Sequence, residues 1–164
     1  MEYGSNVHFV FHAGESNNDN NTNILDCILL GTKRIGHGCL LFKQPYLIEE
    51  VKKRGLIVEV GILSNLSMRY CTDIRQHPSI MMHNAGIQIS LSSDDPGAFR
   101  LTPVSYDTFA ALYAFPLDLK DIKRIQLNGI DGMLLKDEEK LKHSYYFLGR
   151  WKEFIKDFLF RNKQ

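Results

Sequence analysis

Three short stretches of this chain hold residues that could do chemistry together. The first is His12-Ala13-Gly14-Glu15, which closes the largely apolar run Val7-His8-Phe9-Val10-Phe11. The second is Gly36-His37-Gly38, and the third is Ser93-Asp94-Asp95-Pro96. Imidazole and carboxylate are donors that zinc accepts, so His12 and Asp94 are candidate metal ligands. An imidazole exchanges protons near neutrality, and flanking glycines let a ligand approach His37 closely. Adjacent carboxylates on an extended chain face opposite ways, so Asp94 can face a metal while Asp95 faces a substrate. Gly14 lets the backbone turn between His12 and Glu15. Each feature alone has a bland reading: a core histidine satisfied by backbone, or a solvated Asp-Asp-Pro turn. Their joint occurrence at the carboxyl ends of predicted strands, where parallel sheets build their sites, shifts the balance. The expectation is that three strand ends converge on one metal site.

Those ends need strands behind them. After Glu15 comes a polar Asn-rich loop, and a helix is expected from about Asn23, with Ile24, Leu25, Ile28 and Leu29 on one face and Gly31 at its C′ position. Arg34-Ile35-Gly36-His37 is the next strand. Pro45 can open a second helix, striped by Leu47, Ile48 and Val51 and stopped by Gly55. Leu56-Ile57-Val58-Glu59-Val60 reads as a strand buried on both faces. Ser64-Asn65 and the segment to Asp73 read as loop. Pro78 begins a short helix that Gly86 ends, and Ile87-Gln88-Ile89-Ser90-Leu91 is the fourth strand. From Ser105 onward only helices are expected. One includes Phe109 and Leu112. The next is N-capped by Asp118 and carries Ile122, Ile125 and Leu127. The last runs from about Asp137 to Phe160, with Tyr146, Phe147, Trp151, Phe154, Ile155, Phe158 and Leu159 on its apolar side.

Strand-helix repeated four times is the order of a parallel α/β sheet. Four units do not close an eight-stranded barrel, which takes roughly 250 residues; the chain has 164. A single partial domain over residues 1–164, lacking an N-terminal half, is the expectation. The formal charge of +1 gives no long-range pull toward nucleic acid or an anionic membrane. No apolar run is long enough to span a bilayer, and Met1–Asn6 has no signal-peptide pattern. Cys27, Cys39 and Cys71 show no CxxC spacing and read as small core residues. Asn20-Asn21-Thr22 is a glycosylation sequon, meaningful only in a secreted chain. His8, His77, His83 and His143 read as structural or surface residues. Glu59, in the middle of an apolar strand, either pairs internally or lines a pocket.

His12-Ala13-Gly14-Glu15, Arg34-Ile35-Gly36-His37-Gly38 and Ser92-Ser93-Asp94-Asp95-Pro96 resemble the adenosine deaminase motifs, in that family's order. The resemblance is closer to the secreted, growth-factor-related subfamily. Asn23-Ile24-Leu25-Asp26, Ser64-Asn65, Asp73-Ile74-Arg75-Gln76-His77-Pro78, Ser105-Tyr106-Asp107 and Arg150-Trp151-Lys152-Glu153-Phe154-Ile155 are similar to its intervening segments. The resemblance implies the C-terminal half of a TIM-type (β/α)₈ barrel, plus extra C-terminal helices. It implies hydrolysis of adenosine and 2′-deoxyadenosine to the inosine product and ammonia, with one zinc ion. Carried over by position, His12 and Asp94 are zinc ligands. Glu15 protonates the purine ring at N1, His37 orients the attacking water and takes its proton, and Asp95 holds the substrate. It also implies secretion, and homodimers formed through segments not present here.

Several positions depart from the family pattern. This chain has no His-x-His pair, which in the family supplies two further zinc ligands from the first strand. Gly61-Ile62 stands in place of Cys-Pro, and Arg100 in place of a glycine. The expectation is an enzymatic parent and an inactive isolated chain. The alternative is a non-catalytic remnant or a growth-factor-like binding protein of the same family.

Overall fold

A computed structural model of the chain describes residues 7–16, 18–99 and 104–162. Arg100 and Met1–Asn6 lie outside them. The chain divides into two compact units, residues 1–132 and 133–164.

The first unit is built on four short strands: β1 (Val10–Ala13), β2 (Arg34–His37), β3 (Ile57–Val60) and β4 (Gln88–Leu91). They are all parallel and lie in sequence order, so each neighbour in the sheet is the next strand in the chain. The register puts Phe11, Ile35, Val58 and Ile89 in one row across the sheet. Helices cover that face. Ile24, Cys27 and Ile28 of α1 (Asn23–Leu29), Leu47 and Val51 of α2 (Pro45–Lys53) and Met82 of a helix at Ser79–Asn84 are all buried. Burying each aliphatic side chain of this size stabilises the unit by about 1.5–3 kcal/mol. The alternate row, His12, Gly36, Glu59 and Ser90, carries the polar groups. Among the described residues, β1 and β4 each have a partner strand on one side only.

Local signals set the helix ends as expected. Gly31, Gly55 and Gly86 follow their helices with φ between +62° and +82°, the left-handed stop that glycine adopts without a Cβ penalty. Pro45 occupies the first turn of α2. Two elements depart from the sequence reading. Residues after β3 form a helix at once, α3 (Ile62–Ser67), where a loop is expected. Cys39–Lys43 form a 3₁₀ helix after β2. The remaining helices of this unit are α4 (Ser79–Asn84), α5 (Pro96–Phe99), α6 (Ser105–Ala114) and α7 (Leu119–Asp131). Asp118 caps α7 as expected, accepting hydrogen bonds from the Lys120 and Asp121 N–H groups while the Asp118 N–H donates to the Asp121 carboxylate. On α6 the buried side is Asp107, Ala110 and Ala111, while Phe109 and Leu112 are exposed. Cys27 and Cys39 are buried, but Cys71 is only half-buried.

In the second unit α8 (Asp137–Arg161) is a 25-residue helix with three acidic residues in its first turn. The rings of Phe147, Trp151, Phe154 and Phe158 follow one another along it, with centroids 5.5–6.2 Å apart. None of its residues is buried.

Candidate active site

The site grows from the carboxyl ends of the four strands. β1 delivers His12 and Ala13 and then turns sharply at Gly14, φ +68°. The turn is held from both sides: the Gly14 N–H donates to Asn23 Oδ1 (2.8 Å), and the Gly14 carbonyl accepts from the Leu40 N–H (3.0 Å). The Gly38 N–H donates to the Ala13 carbonyl (2.9 Å), stitching the end of β2 to that of β1. Glu15 is thereby brought back so that its Oε1 lies 3.3 Å from His37 Nε2.

Room for His12 comes from Gly36. A Cβ there would stand 3.3 Å from the His12 ring and Cα, closer than most side chains tolerate. The His12 and His37 rings lie 5.2 Å apart, tilted by 42°. β4 is followed by Ser92, whose Oγ accepts the Asp94 N–H (3.2 Å), and Asp94 takes a left-handed φ of +54°. Gly61 again leaves space, because a Cβ there would sit 3.3 Å from Asp94 Cβ. The result is a cluster in which one ligand atom from each of His12, His37 and Asp94 lies within 4.8 Å of the others. A cavity of about 30 Å³ opens beside it, walled by His12, Gly36, His37, Glu59, Gly61 and Asp94. That space suits an ion or a water rather than a nucleoside. Imidazole and carboxylate are donors that a divalent metal such as zinc accepts, so His12 and Asp94 fit as two ligands of such an ion, with His37 beside them.

Four of the five expected residues therefore meet. Asp95 is exposed and stands outside the donor cluster. Glu59 answers both sides of its open reading: it accepts from Arg34 Nε (2.5 Å) and also lines the cavity. Arg34 in turn donates to the Gly132 carbonyl (2.7 Å) at the end of α7, where a cation complements the helix C-terminus.

A supporting layer escapes the sequence reading. Ser64 Oγ donates to Asp94 Oδ2 (2.5 Å), fixing the carboxylate that faces the cluster. Asn65 Nδ2 lies 3.1 Å from His37 Nδ1 and its Oδ1 lies 3.0 Å from His77 Nε2. Both residues ride on α3, and the N-terminus of α3 is capped from a distance by Asp107, which accepts from the Leu63 N–H (3.0 Å). Burial pushes the Asp107 carboxyl up, opposed by these backbone hydrogen bonds. Burial, and then the neighbouring His37, pushes His77 down to about 4. The resemblance marks Ser64-Asn65, His77-Pro78 and Asp107 as family-like segments, but nothing local in them, neither periodicity nor spacing, gives these residues a role. A larger cavity of about 420 Å³, lined in part by Cys39, Lys43, Arg69, Tyr70 and Cys71, holds none of the five expected residues.

The adenosine deaminase family profile matches residues 2–144. The chain belongs to the adenosine deaminase family. An adenosine deaminase of Lutzomyia longipalpis is 38% identical over 164 residues, covering 96% of this chain and 32% of the relative. Adenosine deaminase 2 of Dictyostelium discoideum is 40% identical over 79% of this chain and 24% of its own length, and the human protein of that name is 33% identical over 94% and 31%. The chain thus spans about a third of the curated adenosine deaminases it matches. Among solved structures, adenine deaminase of Arthrobacter aurescens superposes with a TM-score of 0.79 at 21% identity, over 92% of this chain and 44% of that one. A Burkholderia ambifaria amidohydrolase with bound Zn gives 0.78 at 22% identity, over 92% and 42%. The four parallel βα units are therefore part of an adenosine deaminase-type (β/α)₈ barrel, and deamination is the family's chemistry.

Proposed function

We propose that this site belongs to a zinc-dependent adenosine deaminase of the secreted, growth-factor-related type. It would convert adenosine and 2′-deoxyadenosine to the inosine product and ammonia. The observation that carries the reading is the convergence of His12, His37 and Asp94 within 4.8 Å, with Glu15 beside His37. His12 and Asp94 would hold the zinc. Bound there, zinc supplies the Lewis acidity that makes water a nucleophile at neutral pH. His37 accepts the proton of the attacking water at Nε2. Glu15, whose Oε1 lies 3.3 Å from that nitrogen, delivers a proton to the purine N1 and so neutralises charge developing on the ring. Asp95, exposed and next in the chain to Asp94, hydrogen-bonds the substrate. Among the described residues no helix is long and apolar enough to cross a membrane.

The 164 residues contain no His-x-His pair. A catalytic zinc takes about three protein ligands, and recruiting His37 as the third would remove the proton acceptor. The isolated chain is therefore expected to lose zinc on dialysis and to release no ammonia from adenosine. A chimera that sets residues 7–132 into the Lutzomyia longipalpis relative is expected to retain zinc and deaminate adenosine, and Glu15→Gln in it to keep zinc and lose turnover. A zinc-loaded chimera inert toward adenosine would overturn the substrate reading. Stoichiometric zinc with turnover in the isolated chain would overturn the ligand assignment.

A further inference from the structure

Behind the site runs a buried line of four polar residues, of which the proposed reaction uses only His37. Ser79, His77, Asn65 and His37 are each 4% exposed or less. In that line the Ser79 N–H lies 3.1 Å from His77 Nδ1 and donates to it. A backbone N–H cannot turn round or accept, so this contact fixes a lone pair on Nδ1. The neutral His77 ring must then carry its proton on Nε2. It donates that proton to Asn65 Oδ1, 3.0 Å away. The Cys39 thiol donates to the same oxygen (3.4 Å), and it stays a thiol because burial, then Cys71, pushes it up to about 12. With two donors converging on Oδ1, the other end of the amide is the NH₂ group. It faces His37 Nδ1 at 3.1 Å. That nitrogen must accept, so the neutral His37 ring carries its proton on Nε2, toward Glu15.

We propose that Asn65 couples the tautomers of His37 and His77, and that the Ser79 N–H holds both rings as Nε2–H in the metal-free chain. The coupling follows from the amide itself. Its two ends are one acceptor and one donor, so the two rings always carry their proton on the same-numbered nitrogen. Reversing the amide would give Nδ1–H on both, with His77 donating to Ser79 Oγ, 2.8 Å away. Only that reversed arrangement presents a His37 Nε2 lone pair to the cavity, so it is the one in which His37 can accept the water's proton as proposed above. Asn65 is thus a positioning residue: its orientation decides whether His37 meets the site as a donor or as an acceptor. The inference needs neither metal nor substrate, so its failure is separate from any failure of the deaminase reading.

The test is two-bond ¹H–¹⁵N correlation of the imidazole rings in the ¹⁵N-labelled 164-residue chain, with chelator, at about pH 7.5, where an unperturbed histidine is mostly neutral. The expected pattern is Nε2–H for both His37 and His77. Asn65→Asp replaces the donor end by a second acceptor, so His37 Nδ1 should become protonated while His77 keeps Nε2–H. Ser79→Ala keeps the backbone N–H, so both rings should remain Nε2–H. Unlike tautomers in the unsubstituted chain would overturn the coupling, and that spectrum needs no variant to fold. An unchanged His37 in folded N65D would reduce Asn65 to packing. A changed ring in S79A would remove the backbone N–H as the anchor.

Discussion

Gly14 is the pivot that brings Glu15 back toward His37, and Gly14→Ala tests how tightly that pivot is held. Two costs add. At φ +68° an alanine carries the left-handed penalty of about 1 kcal/mol. Its Cβ would also stand 2.5 Å from Ile24 Cδ1, 2.9 Å from Ile24 Cγ1 and 3.2 Å from the Leu40 nitrogen. Ile24 is fully buried and has nowhere to retreat, so overpacking adds about 1–3 kcal/mol. The expected loss is about 2–4 kcal/mol in total, a large share of a domain's usual margin of about 5–15 kcal/mol. Gly31→Ala is the control: its φ is +77°, but nothing lies within 4 Å of the added Cβ, so only the backbone penalty remains. Urea unfolding followed by far-UV circular dichroism measures both. Ile24→Val removes the Cδ1 that makes the closest contact. G14A and I24V should therefore couple favourably, by about 1 kcal/mol or more in a double-mutant cycle. Equal losses for G14A and G31A, or strict additivity of G14A with I24V, would refute the steric argument.

His77 predicts a pH dependence. Its folded pKa of about 4 lies below the ordinary 6.5, so the unfolded chain binds the extra proton between those values and stability falls with acid. The contribution is complete above about pH 6.5 and should shrink by up to about 3 kcal/mol on reaching about pH 4, with His77→Gln flattening that part of the urea-midpoint curve. Asp107→Ala should destabilise by about 1–2 kcal/mol, the usual cost of a lost cap. Asp107→Asn, which keeps an oxygen for the Leu63 N–H, should cost less, and thermal melts of the two variants decide. For the Arg34–Glu59 pair, Glu59→Leu alone should cost more than Glu59→Leu with Arg34→Met, because the single change strands a half-buried guanidinium; chemical denaturation of the three proteins reads the order.

What the sequence showed of the fold was what local physics controls. Helix stops at Gly31, Gly55 and Gly86, the cap at Asp118 and the apolar strand cores depend on neighbours within a few residues. α3 did not show, because six residues are too few to display a helical period and because its cap is not its own. Asp107 lies 44 positions downstream of Leu63. Which side of α6 is buried was not legible in the sequence either. That helix approaches its neighbours through Ala110 and Ala111 and through the Asp107 cap, which leaves Phe109 outside. The supporting layer of the site is equally non-local: Asn65 and His37 are 28 positions apart, and Ser64 and Asp94 are 30 apart.

The donor cluster itself poses a stricter problem, which alternation along the strands would have answered wrongly. In the sheet His12 is level with Gly36, and Ala13 with His37. Side chains on a strand alternate faces, so an unbroken β2 would point His37 away from the row that carries His12. The structure breaks the alternation at the last residue: His37 has φ +66° and Gly38 follows at +59°. Asp94, three residues beyond the last pairing of β4 at Leu91, has φ +54°. Two of the three donors thus sit in a backbone region that non-glycine residues rarely occupy, at a cost of about 1–3 kcal/mol each. Glycines next to His37 and across from Asp94 leave the space that these turns need, and Asn65 and Ser64 hold the two side chains once turned. The glycines flanking His37 were visible as a motif. Their consequence, a ring swung out of its own row to meet His12, follows only from the left-handed turn that they permit.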